Sequence, residues 1–363
     1  MKKNVRFIFV KSVWVYAFLI FLILFSALES DQTIIAAKNA LTLCAQSVIP
    51  SLFPFFVFSS VLISSGFANV VEKGASFFMR PLFNVGGSGA YAFIIGILSG
   101  YPMGAHTIST LYKSGAITAV EAERLLPFCN NSGPLFIIGA VGSAFFKNAK
   151  IGIFLYLVHI FSAILVGFVM RFYKQNENIK SSAFKKPTKK ELCFGKIFSL
   201  GVENAVFSIL NVCGFVVIFS VISAVAKEVL APFIQSDILL SFLSGILEIT
   251  SGVAEISKAS LPLTFRLCLI SFLLGFSGIC ISLQVSKCIS GENISMKTYF
   301  FGKLLHGIFS CLFCKIFLRF FSFSTFSLPQ ADVSFPISSA CLAISFIFLL
   351  SFLYISIKKH KLF

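Results

Sequence analysis

Few residues of this chain have side chains that could do chemistry, and most of them fall in four short interruptions of apolar sequence. Asn130, Asn131, Ser132 and Gly133 interrupt Pro127 to Gly142 (PFCNNSGPLFIIGAVG), and Ser277 and Gly278 interrupt Leu274 to Gln284 (LGFSGICISLQ). Ser99, Gly100, Tyr101 and Gly104 lie in SGYPMGA, while Glu248, Thr250 and Ser251 lie in GILEITSG. The Asn amides donate and accept, the hydroxyls hydrogen-bond at short reach, and Tyr101 offers a ring on which a planar solute can stack. Glu248 is a carboxylate in apolar surroundings, where its cost usually means a polar cavity, a bound ion or a carried proton. It is therefore the candidate for proton or ion coupling, with a surface ion pair as the alternative. Gln284 joins the set of substrate-binding candidates, and His106 is a weaker one. For each hydroxyl the competing use is a hydrogen bond to its own helix or a neighbouring one.

Enzyme chemistry finds no support in these residues. There is no GxSxG, no HExxH and no paired acidic motif, and the chain has 4 His. The 10 Cys are spread through apolar runs; Cys311 and Cys314 make a CxxC with no second pair or nearby His, so neither a metal nor a cofactor is expected. A net charge of +16 raises nucleic acid as a partner, but the basic residues sit between apolar runs instead of on one folded face. Membrane topology accounts for them, with the lipid bilayer as the partner.

The elements that must position these residues are membrane helices. Of 363 residues 57% are hydrophobic and 12% charged, with mean hydropathy +0.93. Apolar runs long enough to cross a bilayer recur, and no stretch remains for a soluble domain. The expected fold is all-α and polytopic. A helix over Ser12 to Leu28 is read as an uncleaved first span, followed by an outside linker, Ser30 to Asn39. Ile49 to Gly66 runs back inside towards Lys73 and Arg80. Gly89 to Tyr112 is a hairpin about SGYPMGA, re-entrant because Gly100, Pro102 and Gly104 would each break a crossing helix; it returns Lys113 and Arg124 to the inside. Leu125 to Phe146 is a broken span, and Ile151 to Tyr173 closes the half. After the basic stretch Lys174 to Lys196, the order repeats: helix Gly201 to Ala226, hairpin Gln235 to Lys258, broken span Pro262 to Lys287, closing helix Thr298 to Phe321. A last span is expected over Phe335 to Ile357.

One offset of 145 residues relates Ser99 and Gly100 to Ser244 and Gly245, and Ser132 and Gly133 to Ser277 and Gly278. This suggests two repeats. With about eight crossings and two hairpins they enter from opposite faces, as inverted repeats do, and both termini are cytoplasmic. Lys38, Lys147, Lys150, Lys227 and Lys258 then fall outside and most other Lys and Arg inside. The expected regions are an N-terminal helix and linker (1–46), a first repeat (47–173), a basic cytoplasmic linker (174–198), a second repeat (199–322) and a C-terminal helix (323–363). If tips and breaks meet, half-helix N-termini face one cavity, which favours an anion or a polar heteroaromatic solute.

The motifs SLFPFF (Ser51 to Phe56), SGYPMGA, CNNSGPLFIIGAVG, LEITSG and LGFSGICISLQV, in collinear order from about Ser47 to Phe321, resemble the YlbJ-like (SpoVV) sporulation integral membrane proteins. That family carries the nucleoside-recognition, or Gate, domain and is distantly similar to concentrative nucleoside transporters. The resemblance implies a sporulation-stage transporter in the outer forespore membrane that moves dipicolinate from mother cell towards forespore. CNNSGP departs from the CNTSGP-like form expected of the family at Asn131. On the residues alone, the substrate is a small polar or anionic solute.

Overall fold

The protein is described here by a computed structural model covering residues 16–65, 67–176 and 194–320, apart from residue 18. Among these residues every regular element is helical. Most of the basic linker, both termini and the span expected over Phe335 to Ile357 lie outside them. Four stretches are long and apolar enough to cross a membrane: α8 (Ala149–Met170), α9 (Phe194–Leu230), Leu263–Cys288 and α14 (Met296–Phe317). Two bent pairs raise this to six if each counts as one span.

The N-terminal region departs from the sequence reading. Helix α1 (Leu19–Leu28) is followed by α2 (Ser30–Leu43), so Ser30 to Asn39 is a helix and not a linker. Its sequence contains no Gly or Pro, and Asp31 in the first turn suits the positive end of the helix dipole. A π-helical turn, Cys44–Val48, carries the chain into α3 (Ile49–Ser64), with the Ile49 N–H reaching back five residues to Cys44. Pro50 lies just past this turn, and the wider winding accommodates a residue that cannot continue the ordinary ladder. The connection expected after α3 is also a helix, α4 (Phe67–Phe83). Ala75, Met79 and Phe83 are buried at four-residue spacing while Phe77 and Arg80 are exposed, so α4 is amphipathic.

Both expected hairpins are helix–turn–helix units. α5 (Ser88–Ser99) and α6 (Met103–Lys113) join through Gly100, whose φ of 81° suits glycine, and a cis Tyr101–Pro102 peptide. At 12 and 11 residues, these arms extend about 18 and 16 Å, short of a hydrocarbon core of about 30 Å. α10 (Asp237–Leu247) and α11 (Ile249–Lys258) turn at the extended residue Glu248. They cross so closely that a Cβ on Gly252 would lie 2.2 Å from the Gly245 Cα.

Both expected breaks are present as well. α7 (Ala119–Cys129) opens with a Thr118–Glu121 capping box and ends at Asn130. After Asn-Asn-Ser-Gly-Pro, the chain resumes as a π-helix, Leu135–Phe145. α12 (Leu263–Phe276) and α13 (Gly278–Cys288) are separated by Ser277, and both Ser277 and the first residue of α13, Gly278, have positive φ (76° and 79°).

Arg124, read from the sequence as lying on the inside, is buried within α7. Its guanidinium donates to the carbonyls of Asn84, Tyr173 and Lys174, tying α7 to the ends of α4 and α8. Glu123 accepts from the Tyr173 hydroxyl and the Ser295 N–H, and so joins the first half to the second. Burial, and then the Glu123 carboxylate it donates to, raises the Tyr173 phenol above its ordinary pKa. The two halves interlock: α3 packs on α9, and α14 packs on α7, α8 and α12.

Candidate functional site

Each break rests against the hairpin tip of its own half. A Cβ on Gly100 would lie 2.8 Å from the Gly133 nitrogen, and one on Gly278 would lie 3.2 to 3.5 Å from the carbonyls of Gly245, Ile246 and Leu247. Glycine at these positions is what lets backbone approach backbone. The serine before each tip glycine is held by the first helix of its half: Ser99 Oγ is 3.0 Å from Ser59 Oγ on α3, and Ser244 Oγ is 2.6 Å from Ser223 Oγ on α9. The Tyr101 hydroxyl crosses between halves, donating to the Leu274 carbonyl at 2.9 Å.

Between the tips lies a cavity of about 270 Å³. Of the residues singled out in the sequence, Gly100, Tyr101, Ser132, Gly133, Glu248, Thr250 and Gln284 line it. Leu43, Val48 and Leu52 close one wall, Val212 and Val216 another, and Leu135, Phe136, Gly139 and Ala140 of the π-helix a third. The π-helix and α11 begin at residues that line it, Leu135 and Ile249, and α6 begins two residues after Tyr101, so three helix N-termini border one space.

Glu248 caps one of these N-termini. Its carboxylate accepts from the Thr250 N–H at 3.0 Å and from the Ser251 N–H and hydroxyl, both at 2.8 Å. Its charge therefore faces the positive end of α11 as well as the cavity. Gln284 is buried, its Oε1 has no hydrogen-bond partner among the described residues, and its Nε2 has a thiol sulfur, Cys280 Sγ, at 3.5 Å. Its amide is free to turn either end to a ligand.

The remaining candidates lie off the lining. Ser99 is spent on Ser59, Gly104 packs against the Cys129 carbonyl, and Ser251 serves Glu248. Ser277 is buried in its own turn, with its hydroxyl 3.4 Å from the Gly275 carbonyl, and Gly278 faces the end of α10. Asn131 donates to the Phe128 carbonyl and Asn130 to the Tyr299 hydroxyl. His106 is exposed on α6.

Behind the first break lies a polar network that the sequence reading missed. The Ser132 N–H donates to His159 Nε2 at 3.1 Å, and His306 Nε2 is 3.0 Å from the His159 carbonyl. Lys303 Nζ donates to the Asn130 carbonyl at 3.0 Å and lies 3.2 Å from His306 Nδ1. Lys303, His159 and His306 are all buried. Groups freed where α7 stops are thus satisfied by side chains from α8 and α14. The available signal was Lys303 and His306 three positions apart on one face of an apolar helix.

Comparison with known proteins agrees with the motifs. A sporulation integral membrane protein, YlbJ of Bacillus subtilis (strain 168), is 34% identical over 311 residues, 77% of this chain and 76% of the relative. The chain belongs to the YlbJ family. A family model described as nucleoside recognition (Gate) matches residues 45–173. Within this YlbJ-family chain that match spans the first hairpin tip and the first break, while Glu248 and Gln284 lie beyond it. No solved structure matches.

Proposed function

We propose that this YlbJ-family protein is a secondary transporter of a small planar anion, and that the solute is dipicolinate, carried across the outer forespore membrane from mother cell to forespore. The observation that carries the reading is the single cavity shared by both hairpin tips and the first break. Three helix N-termini beside it favour negative charge, and Tyr101 offers a ring to a planar pyridine dicarboxylate. The matched contacts Ser59 to Ser99 and Ser223 to Ser244 support two repeats of inverted topology, with the short hairpins entering and leaving the membrane on one side. Glu248 is the coupling group in this scheme, taking a proton or a cation as the solute binds. A nucleoside is the second reading, favoured by the nucleoside-recognition match and by a carboxylate able to accept from ribose hydroxyls.

Gly139 gives a direct test of the cavity. A Cβ added there meets nothing within 4 Å although the residue lines the space, so Gly139→Leu is expected to fold while narrowing the cavity. The variant should reach the membrane at wild-type level and lose most uptake. Uptake at the wild-type rate would refute the assignment of this cavity as the transport site.

A further inference from the structure

Lys303 lies at the middle of α14, completely buried, and no carboxylate of the described residues pairs with it. Its surroundings fix its role as a donor. His306 Nε2 faces a carbonyl, which can only accept, so that nitrogen carries the ring proton and Nδ1 offers its lone pair. Lys303 Nζ then donates to His306 Nδ1 and to the Asn130 carbonyl, and its remaining side faces the Tyr101 ring, with the nitrogen 5.7 Å from the centroid. Two acceptors and an aromatic face accommodate an ammonium but supply no negative charge. A cation at membrane depth without a counter-ion is expensive, so a negative charge brought near Lys303 by a solute would offset a cost that no carboxylate of the described residues offsets. Tyr101 is the partition between Lys303 and the cavity, since its ring touches the ammonium's surroundings and also lines the empty space. Glu248 does not serve, because it makes no ion pair with Lys303 and caps the start of α11 on the cavity wall.

We propose that Lys303 is the counter-charge that makes this cavity select anions, acting on a carboxylate of the solute across the Tyr101 ring. The inference rests on the transport reading above and names the residue that sets its specificity. Lys303 is thus a specificity-determining residue that stands behind the site and does not line it.

The test compares pyridine-2,6-dicarboxylate with its neutral diamide, binding of both being measured to full-length protein in lipid nanodiscs. Wild-type protein should prefer the dicarboxylate by roughly tenfold or more, about 1.4 kcal/mol. Lys303→Met should abolish that preference by weakening the dicarboxylate more than the diamide, and Lys303→Arg, which keeps the positive charge, should retain it. Dicarboxylate preference unchanged in Lys303→Met would overturn the inference and leave the transport reading standing. A wild-type protein that binds the diamide as well as the dicarboxylate would also overturn it, whether or not either variant folds. Binding of neither ligand by wild type would overturn the transport reading together with it.

Discussion

Replacing Glu248 by Asn, Gln and Ala should separate its work as a helix cap from its work as a charge. The carboxylate accepts from two backbone N–H groups, those of Thr250 and Ser251, at the second and third positions of α11. An N-cap is worth about 1 kcal/mol, and a buried N–H left without an acceptor costs about 1–3 kcal/mol. Glu248→Ala removes both acceptors from a buried hairpin turn, so a loss of about 2–4 kcal/mol is expected. Gln keeps one oxygen but turns an NH₂ towards the other N–H, giving an intermediate loss. Asn is among the best caps and restores an acceptor without charge, so its cost should stay near 1 kcal/mol. Thermal unfolding of the purified protein orders the three variants, and uptake driven by an imposed ion or proton gradient reads the charge. The expected outcome is that Glu248→Asn folds almost as wild type and loses gradient-driven uptake. Wild-type stability in Glu248→Ala would refute the cap, and wild-type driven uptake in Glu248→Asn would refute coupling through this carboxylate.

Two further substitutions probe the frame around the site. Gly104→Ala would bring a Cβ to 1.9 Å from the Cys129 carbonyl oxygen, a backbone atom that cannot move aside alone, so a loss of about 3 kcal/mol or more is expected in denaturant unfolding. His159→Ala leaves the Ser132 N–H without its acceptor and should cost about 1–3 kcal/mol while slowing uptake, measured on the same preparation.

Where local chemistry decides the backbone, the sequence was legible. Gly-Tyr-Pro and Asn-Asn-Ser-Gly-Pro admit no helix through them, and both interruptions stand where the residues put them. The 145-residue offset between Ser-Gly pairs reappears as two tip-to-break contacts of the same kind. Ser30 to Asn39 reads as a linker because of its Asp, Gln, Lys and Asn, yet nothing in it stops a helix and α9 supplies a surface to pack on. α4 is hard to read from sequence because Lys73 and Arg80 fit a loop as well as one face of an amphipathic helix. Asn130 and Asn131 were expected as ligands, yet their amide donors close backbone and Tyr299 contacts beside the break; which side of a turn faces a cavity depends on tertiary packing. Lys303, His159 and His306 come from α14 and α8, far from Ser132 in sequence, and only their convergence gives them a role.

Uptake of labelled dipicolinate into proteoliposomes containing the purified chain, with uridine as competitor, tests the central claim most directly. The account predicts saturable uptake that unlabelled dipicolinate blocks and uridine leaves unchanged. Absence of dipicolinate uptake under every imposed ion gradient, with uridine transported in its place, would contradict it.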